Sequence, residues 1–429
     1  MVNMSKRRNS RKRKNSNIKK LKFINKILKI LIIIFIIILV YSINKTKKIS
    51  QNSDHISDVN ITQDVETQDE NTNKTNEPTP ETPKDTTINM AFTGDIMCHN
   101  TIYNDAYNSF SSSYDFSYIF DNVKFYLQTA DITIGNLETT FAGSKKGYSS
   151  YPRFNTPESL ADTLKKLGFD VLSTANNHCY DSNYAGIEST IDYLDQADIS
   201  HTGTYKSEED QNKILIKNVK GINIAFLSFT YGTNGITVPQ DKAYSVNLID
   251  KELIKKQIDL AKAKNPDLIS VSMHWGVEYQ TKPNTEQKEL ADFLFQNGVD
   301  LIIGNHPHVL QPMEKRTITL SDGSTKDGFI VYSLGNFLAD QNKTYTRDTA
   351  ILNLKITKSK DKKITIDSAS YTPVYIYKNT ALKTKKFKLI DLKKSIASYN
   401  SGSSTNISKT LYNTFNTELN NITKILGEQ

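Results

Sequence analysis

Val299-Asp300-Leu301-Ile302-Ile303-Gly304-Asn305-His306-Pro307-His308 is the stretch whose reading decides the fold. A short run of branched apolar residues reads as a buried strand, and Gly-Asn-His-Pro-His stops it. Two imidazoles one residue apart at a strand end can reach two adjacent cations from one loop, which Pro307 stiffens by fixing φ. Histidine is the commonest transition-metal ligand, and strand ends hold ligands rigidly. A purely structural His-Pro-His loop is the bland alternative. Working outward, the same pattern recurs upstream. Gly94-Asp95-Ile96-Met97-Cys98-His99 follows the run Ile88 to Thr93, Asn176-Asn177-His178 follows Asp170 to Thr174, and His274-Trp275-Gly276 follows Leu268 to Met273. Five of the seven histidines fall in these segments.

Further strands are predicted at Asp131 to Gly135, Ile222 to Thr230 and Phe329 to Leu334. Helices fall between them. Thr156-Pro157-Glu158 offers an N-cap, a proline at N1 and an acid in the first turn, opening a helix to Lys166 that Gly168 stops. Periodic stretches from Gly186 to Ala197, Leu248 to Lys264 and Thr285 to Asn297 give three more. Ile214 to Lys217 with Ile222 to Leu227, and Ala350 to Ile356 with Lys363 to Ser368, read as antiparallel hairpins. The expectation is an α/β fold of two facing mixed β-sheets flanked by helices.

Charge divides the chain. Residues 1–29 hold twelve Lys/Arg and no acid, and the uncharged, Ile-rich run 30–43 follows. With Ile27 and Leu28 included, and Lys26 and Lys29 snorkelling, that run approaches the ~20 residues a membrane helix needs. A cleavable signal peptide starts the same way, but no small-x-small site follows, so the sequence favours an uncleaved anchor. The basic excess keeps the N-terminus cytoplasmic and places the rest outside the cell, at the cell membrane. Residues 44–86 are polar, acidic and proline-containing, an extracellular linker that cannot form a core. Residues 87–429 carry 37 basic and 37 acidic side chains. The net charge of +8 is therefore a topology signal and gives no ground for a nucleic-acid partner. The main domain is expected over 87–383, with a polar, helix-prone tail over 384–429.

Segment by segment, Asp95 sits at a strand's C-terminal end, where α/β sheets build sites, although a helix N-cap aspartate fits too. Glu138, in Gly135-Asn136-Leu137-Glu138, is a second acid in the equivalent place and has two oxygens with which to bridge two cations. Asn136 reads as a turn residue. Asn177 offers an amide oxygen and His178 a proton donor. Asp181 either orients the His178 imidazole or caps the following helix. Trp275 suggests an apolar wall beside His274. Cys98 and Cys179 lie in site segments, and a disulfide between them and two buried thiols stand level. Arg153 and Arg347 are weaker candidates as anion clamps.

Together, Gly94-Asp95-Ile96-Met97, Asn136-Leu137-Glu138, Asn176-Asn177-His178-Cys179-Tyr180-Asp181, His274-Trp275-Gly276-Val277-Glu278-Tyr279, Gly304-Asn305-His306-Pro307-His308 and Ser333-Leu334-Gly335-Asn336-Phe337 resemble the CapA family of capsule and poly-γ-glutamate synthesis proteins. The resemblance covers about residues 87 to 340. That family in turn resembles the calcineurin-like metallophosphoesterases, which implies a four-layer sandwich around a two-metal centre. Carried across, it implies metal ligation by Asp95, Glu138, Asn177, His274, His306 and His308, and proton transfer by His178 with Asp181. The sequence departs at Met97, where the phosphoesterase pattern has histidine, with His99 a possible substitute, and at Glu138, where it has aspartate. One ion, two ions or a degenerate centre follow equally. Mixed carboxylate and imidazole ligation suits Mn, Fe or Zn. The resemblance implies a membrane-anchored component of a polyglutamate synthase and export complex that handles an anionic polymer. A free-standing extracellular phosphoesterase acting on wall or lipid-linked phosphate is the alternative.

Overall fold

The computed structural model describes residues 84–319 and 323–428. The expected basic segment, the apolar run and the linker up to residue 83 lie outside the described residues. Among the described residues no helix is long and apolar enough to cross a membrane.

The first strands in chain order are β1 (Thr86–Ile96), β2 (Tyr107–Asn108), β3 (Ser113–Tyr114), β4 (Ile132–Leu137), β5 (Val171–Ser173), β6 (Ser200–Thr202), β7 (Leu215–Val219) and β8 (Ile222–Thr230). Then come β9 (Leu268–His274), β10 (Leu301–Asn305), β11 (Leu310–Thr319), β12 (Thr325–Leu334), β13 (Asn336–Leu338), β14 (Asp348–Lys358), β15 (Ile364–Lys378) and β16 (Phe387–Asp391). One sheet has the order β16-β15-β14-β1-β4-β5-β6 with β13 added to β1, the other β11-β12-β10-β9-β8-β7, and β2 pairs β3. Both large sheets are mixed. β1, β4, β5 and β6 run parallel, as do β8, β9, β10 and β12, whereas β14, β15, β16, β7 and β11 attach antiparallel.

Parallel strands are covered on both faces, which is why Ile222–Thr230 and Leu268–His274 are nearly continuous apolar runs. Ile88, Met90, Phe92 and Ile134 of the first sheet share one apolar layer with Ile224, Phe226, Leu301 and Val331 of the second. Behind the second sheet, Leu227, Val271 and Ile302 pack on Ile254 and Ile258 of helix Lys251–Lys262 and on Leu290 and Leu294 of helix Thr285–Gln296. Behind the first, Ala91 and Leu172 pack with Leu164 and Leu194 of helices Ser159–Lys166 and Asn183–Gln196. The fold is thus α/β, with mixed sheets flanked by helices.

Several local expectations shift. The helix expected from Thr156 begins at Ser159, because the Pro157 carbonyl closes a preceding turn onto Leu160 N–H and Glu158 caps without its side chain. Residues 384–429, expected as a polar, helix-prone tail, hold helices Leu392–Asn400 and Lys409–Leu426 and also contribute β16 to the first sheet, with Phe415 and Ile422 buried against Ala350 and Tyr371. Cys98 and Cys179 are free thiols in separate apolar clusters. Burial pushes the Cys98 thiol far up and that of Cys179 up to about 12.

Candidate metal centre

Register places the site. In the first sheet Asp95 of β1 lies opposite Asn136 of β4, and Asn136 opposite Ser173 of β5. In the second sheet Thr230, His274 and Asn305 are successive partners across β8, β9 and β10. Parallel pairing therefore brings the carboxyl ends of both sheets to one level, with the ligand-bearing loops just beyond it. Close backbone approach holds this arrangement. A Cβ on Gly94 would meet the Gly335 carbonyl oxygen at 1.9 Å, and one on Gly304 the Tyr332 carbonyl oxygen at 1.9 Å. The His-Pro-His loop is strained, with His306 at φ +97° and His308 at +59°, a conformation kept only where surrounding contacts enforce it.

Asp95, Glu138, Asn177, His274, His306 and His308, drawn from both sheets, converge and are all buried. Asp95 Oδ1 accepts from Asn136 Nδ2 at 2.7 Å, and Oδ2 accepts from the His306 N–H and from His308 Nδ1, both at 3.2 Å. His274 Nε2 donates to Asn177 Oδ1 at 2.7 Å and lies 3.6 Å from Glu138 Oε1. His308 Nε2 is 3.9 Å from the same oxygen. Two groups have donor atoms mutually within 4.8 Å, Asp95 with Glu138 and His274, and Glu138 with His306 and His308. Glu138 belongs to both.

The electrostatics are those of a donor cluster. Burial first, then the charge of Asp95 and then that of Glu278, push the Glu138 carboxyl well above its usual range. Burial and the neighbouring His306 and His308 push His274 well below the usual imidazole range, and burial with His308 brings His306 down to about 3. Both carboxylate oxygens of Glu138 and Nδ1 of His306 have no hydrogen-bond partner though buried. Native structures rarely leave such atoms orphaned. Two carboxylate oxygens and one imidazole nitrogen left without partners, beside two further imidazoles, are a donor set that fits a divalent cation.

Beside these groups, His178 Nδ1 donates to Asp181 Oδ2 at 2.7 Å, and the same oxygen accepts the Phe154 N–H at 2.6 Å. Asp181 orients the imidazole; the N-cap of the next helix is Ser182. The Phe154 ring meets His178 edge-on at 4.7 Å.

Other expectations are corrected. Asn136 is no turn residue: β4 continues to Leu137, and its side chain bridges Asp95 and Ser173, whose Oγ donates to Asn136 Oδ1 at 2.9 Å. His99 does not join the ligand groups; its Nδ1 accepts the Asp340 N–H, and burial lowers it to about 4. Trp275 packs into the outer apolar layer, its indole N–H donating to the Tyr332 carbonyl. Arg347 is engaged by Asp340, Asn342 and the Gln341 carbonyl, while Arg153 stands exposed on a loop.

Two residues escaped the sequence reading. Tyr231 stacks on His274 and lies 4.5 Å from the His306 ring, and burial raises its hydroxyl to about 12. Asn234 accepts from Asn177 Nδ2 at 3.1 Å while its own amide nitrogen lies 3.4 Å from the His178 ring. Tyr231 directly follows β8, so the strand-end rule that found His274 could have found it. Asn234 carries no comparable signal.

Comparison with known proteins agrees with the segments. A profile described as "Bacterial capsule synthesis protein PGA_cap" matches residues 89–341. The chain is similar to "Capsule biosynthesis protein CapA" of Bacillus anthracis, 34% identical over 244 residues, which are 54% of this chain and 56% of that protein. It is also similar to "PGA biosynthesis protein CapA" of Bacillus subtilis (strain 168), 30% identical over 316 residues, 73% of this chain and 78% of that one. The chain thus spans little more than half the length of the first relative. Among solved structures, the NAD nucleotidase NadN of Haemophilus influenzae aligns over 79% of this chain and 61% of its own, with a TM-score of 0.43 and 13% identity. Because the profile covers more than half of the chain and every segment from Asp95 to Asn336, the chain belongs to the bacterial capsule synthesis protein PGA_cap family.

Proposed function

We propose that this protein is a membrane-anchored, outward-facing component of poly-γ-glutamate capsule synthesis and export, and that its folded domain carries a metal-dependent, phosphoesterase-like centre. Glu138 is the observation that carries the second half. A buried carboxyl with two unpartnered oxygens, shared by two ligand groups, has little structural reason to exist without a cation. Asp95, Glu138 and His274 would hold one ion, and Glu138, His306 and His308 a second, with Asn177 beside His274. Manganese, iron and zinc all suit the donors. A bound divalent ion supplies Lewis acidity, activating water and neutralising charge on a phosphoryl oxygen.

The chain's own residues do the rest. Asp181 holds His178 at Nδ1, which leaves Nε2 to pass a proton to the departing oxygen. The Phe154 N–H and ring fix the plane of that pair. The capsule assignment is supported by the family and by the names of the two relatives, and the membrane anchor by the basic run followed by the Ile-rich run. The partners proposed are the synthase and export subunits, the membrane and the anionic polymer. The His178–Asp181 pair beside the ligands also favours a second reading, an extracellular phosphoesterase acting on wall or lipid-linked phosphate.

The test is metal content of the full chain and of His306→Ala after loading with Mn²⁺ or Zn²⁺, with phosphodiester and γ-glutamyl hydrolysis and, in cells, capsule yield. Equal metal in both proteins removes the centre. Phosphodiester turnover with no capsule phenotype selects the second reading.

A further inference from the structure

Residues 383–394, Lys-Thr-Lys-Lys-Phe-Lys-Leu-Ile-Asp-Leu-Lys-Lys, hold six lysines and one acid, whereas the rest of residues 87–429 carries 31 basic and 36 acidic side chains. The structure gathers four of them. Lys385, Lys386, Lys388 and Lys394 line one cavity of about 610 Å³, bounded by β15, β16 and helices Leu392–Asn400 and Lys409–Leu426. Its lining includes a single acid, Asp391, which is buried and already accepts from the Tyr126 hydroxyl and the Lys394 N–H.

Part of the lysine surface is neutralised in place. Lys165, Lys220, Lys255, Lys315, Lys326 and Lys358 each meet an aspartate within hydrogen-bonding distance. Among the described residues none of the four groove lysines makes an ion pair; Lys385 instead lies over the Tyr118 ring at 5.5 Å. Uncompensated charge of one sign lining a concave wall focuses the field on whatever anion enters. No arginine lines the cavity. Arginine forks grip phosphate and carboxylate in fixed bidentate geometry, whereas lysines are hydrated point charges on flexible stems. Such a wall holds a repeating anion through many weak contacts and lets it slip.

We propose that this groove is a docking track for the polycarboxylate polymer itself, an extended poly-γ-glutamate strand. The inference rests on the capsule reading above and deepens it. β16 lies three strands from β1, so the track runs on the order of 14 Å from the strand bearing Asp95, at ~4.8 Å per strand. Polymer held there would lie against the same sheet that carries Asp95, without occupying the candidate metal centre.

The experiment uses the full chain in detergent, with lysine acetylation mapped by mass spectrometry. Residues 1–48 also hold fifteen basic side chains, so the readout must be site-resolved. Sodium poly-γ-glutamate at low salt is expected to protect Lys385, Lys388 and Lys394 several-fold. Lys255 and Lys256, beside Glu252 and Asp259 on another helix, should label unchanged. Equal labelling with and without polymer overturns the track, as does protection by phosphatidylglycerol vesicles alone. The variant Lys385→Gln/Lys388→Gln/Lys394→Gln should bind polymer about tenfold more weakly at low salt, with the difference screened away at high salt. Lys255→Gln/Lys256→Gln should bind like the parent. Metal content and phosphodiester hydrolysis should be unchanged in both. If the parent holds metal and supports capsule yet shows no protection, the track alone fails. If protection is seen without any capsule role, the track stands and the functional reading falls.

Discussion

Two regions bury carboxyl groups at similar depth and settle the cost differently. Glu138 lies at the carboxyl ends of the central strands, fully buried, and Asp348 opens β14 beneath helix Lys409–Leu426, 1% exposed. Burial raises both, Asp348 to about 9, and in both a second carboxyl adds to the effect, Asp95 at Glu138 and Glu418 at Asp348. Each retains an unpartnered oxygen. What differs is the company. Glu138 faces His274, which burial keeps neutral, and His308, and shares a ligand group with His306, whose Nδ1 has no partner. Asp348 faces Glu418, which accepts from Asn421 Nδ2 at 2.8 Å, and no imidazole lines the adjoining cavity. A carboxyl among neutral imidazoles is built for a metal, and a carboxyl against a carboxyl for a shared proton.

The sharpest way to break that comparison is Glu138→Gln, which keeps the shape and removes the charge. Since Glu138 belongs to both ligand groups, the variant should lose all bound metal and all phosphodiester turnover. His274→Ala and His306→Ala, each touching one group, should leave part of the metal in place. Elemental analysis of the three purified proteins checks this. Identical stoichiometry in all three would end the idea of a shared carboxylate.

His178→Ala comes next. His178 is placed to move protons and lies outside both ligand groups, so metal content should hold while the maximal rate falls by roughly 10²- to 10⁴-fold. Loss of metal in this variant would recast the imidazole as a ligand. Asn136→Ala is expected to act more weakly, through the orientation of Asp95, lowering metal affinity by about 10- to 100-fold. A metal titration monitored by calorimetry separates that from an effect on turnover alone.

Asn136 also shows where sequence reading stops. The acids and imidazoles were legible because each closes a local pattern, an apolar run ended by glycine or a small polar residue, and that pattern lies within a few residues. Asn136 follows Gly135, which reads locally as a turn. Only pairing with β1, Asp95 against Asn136, carries the strand on to Leu137. Tertiary pairing also decided β16, whose edge position against β15 joins the segment Phe387–Asp391 to the main sheet despite its lysine-rich surroundings. His99 sits near the ligands in sequence, but helix Asn100–Ala106 begins directly after it and its ring is given to Asp340. Asp348 gave no signal at all, because its partner Glu418 lies seventy residues away in sequence.

Asp348 offers the smallest effect on metal and turnover and the cleanest sign. The folded protein holds its proton up to about pH 9, whereas the unfolded chain releases it near the ordinary 3.8, so folding takes up a proton between those values. The stabilisation is complete below about pH 4 and drains away as pH rises toward 9. Asp348→Asn is permanently neutral and removes this dependence. The variant should unfold at nearly the same temperature as the parent at pH 4 and gain on it by roughly 1 kcal/mol for each pH unit above that, several kcal/mol by pH 8 to 9, with a flatter profile between. Metal content should not change, since Asp348 belongs to neither ligand group. Parallel pH profiles for parent and variant would mean that the proton is not held there, and Asp348 would then have to be matched by a cation, as proposed for Glu138.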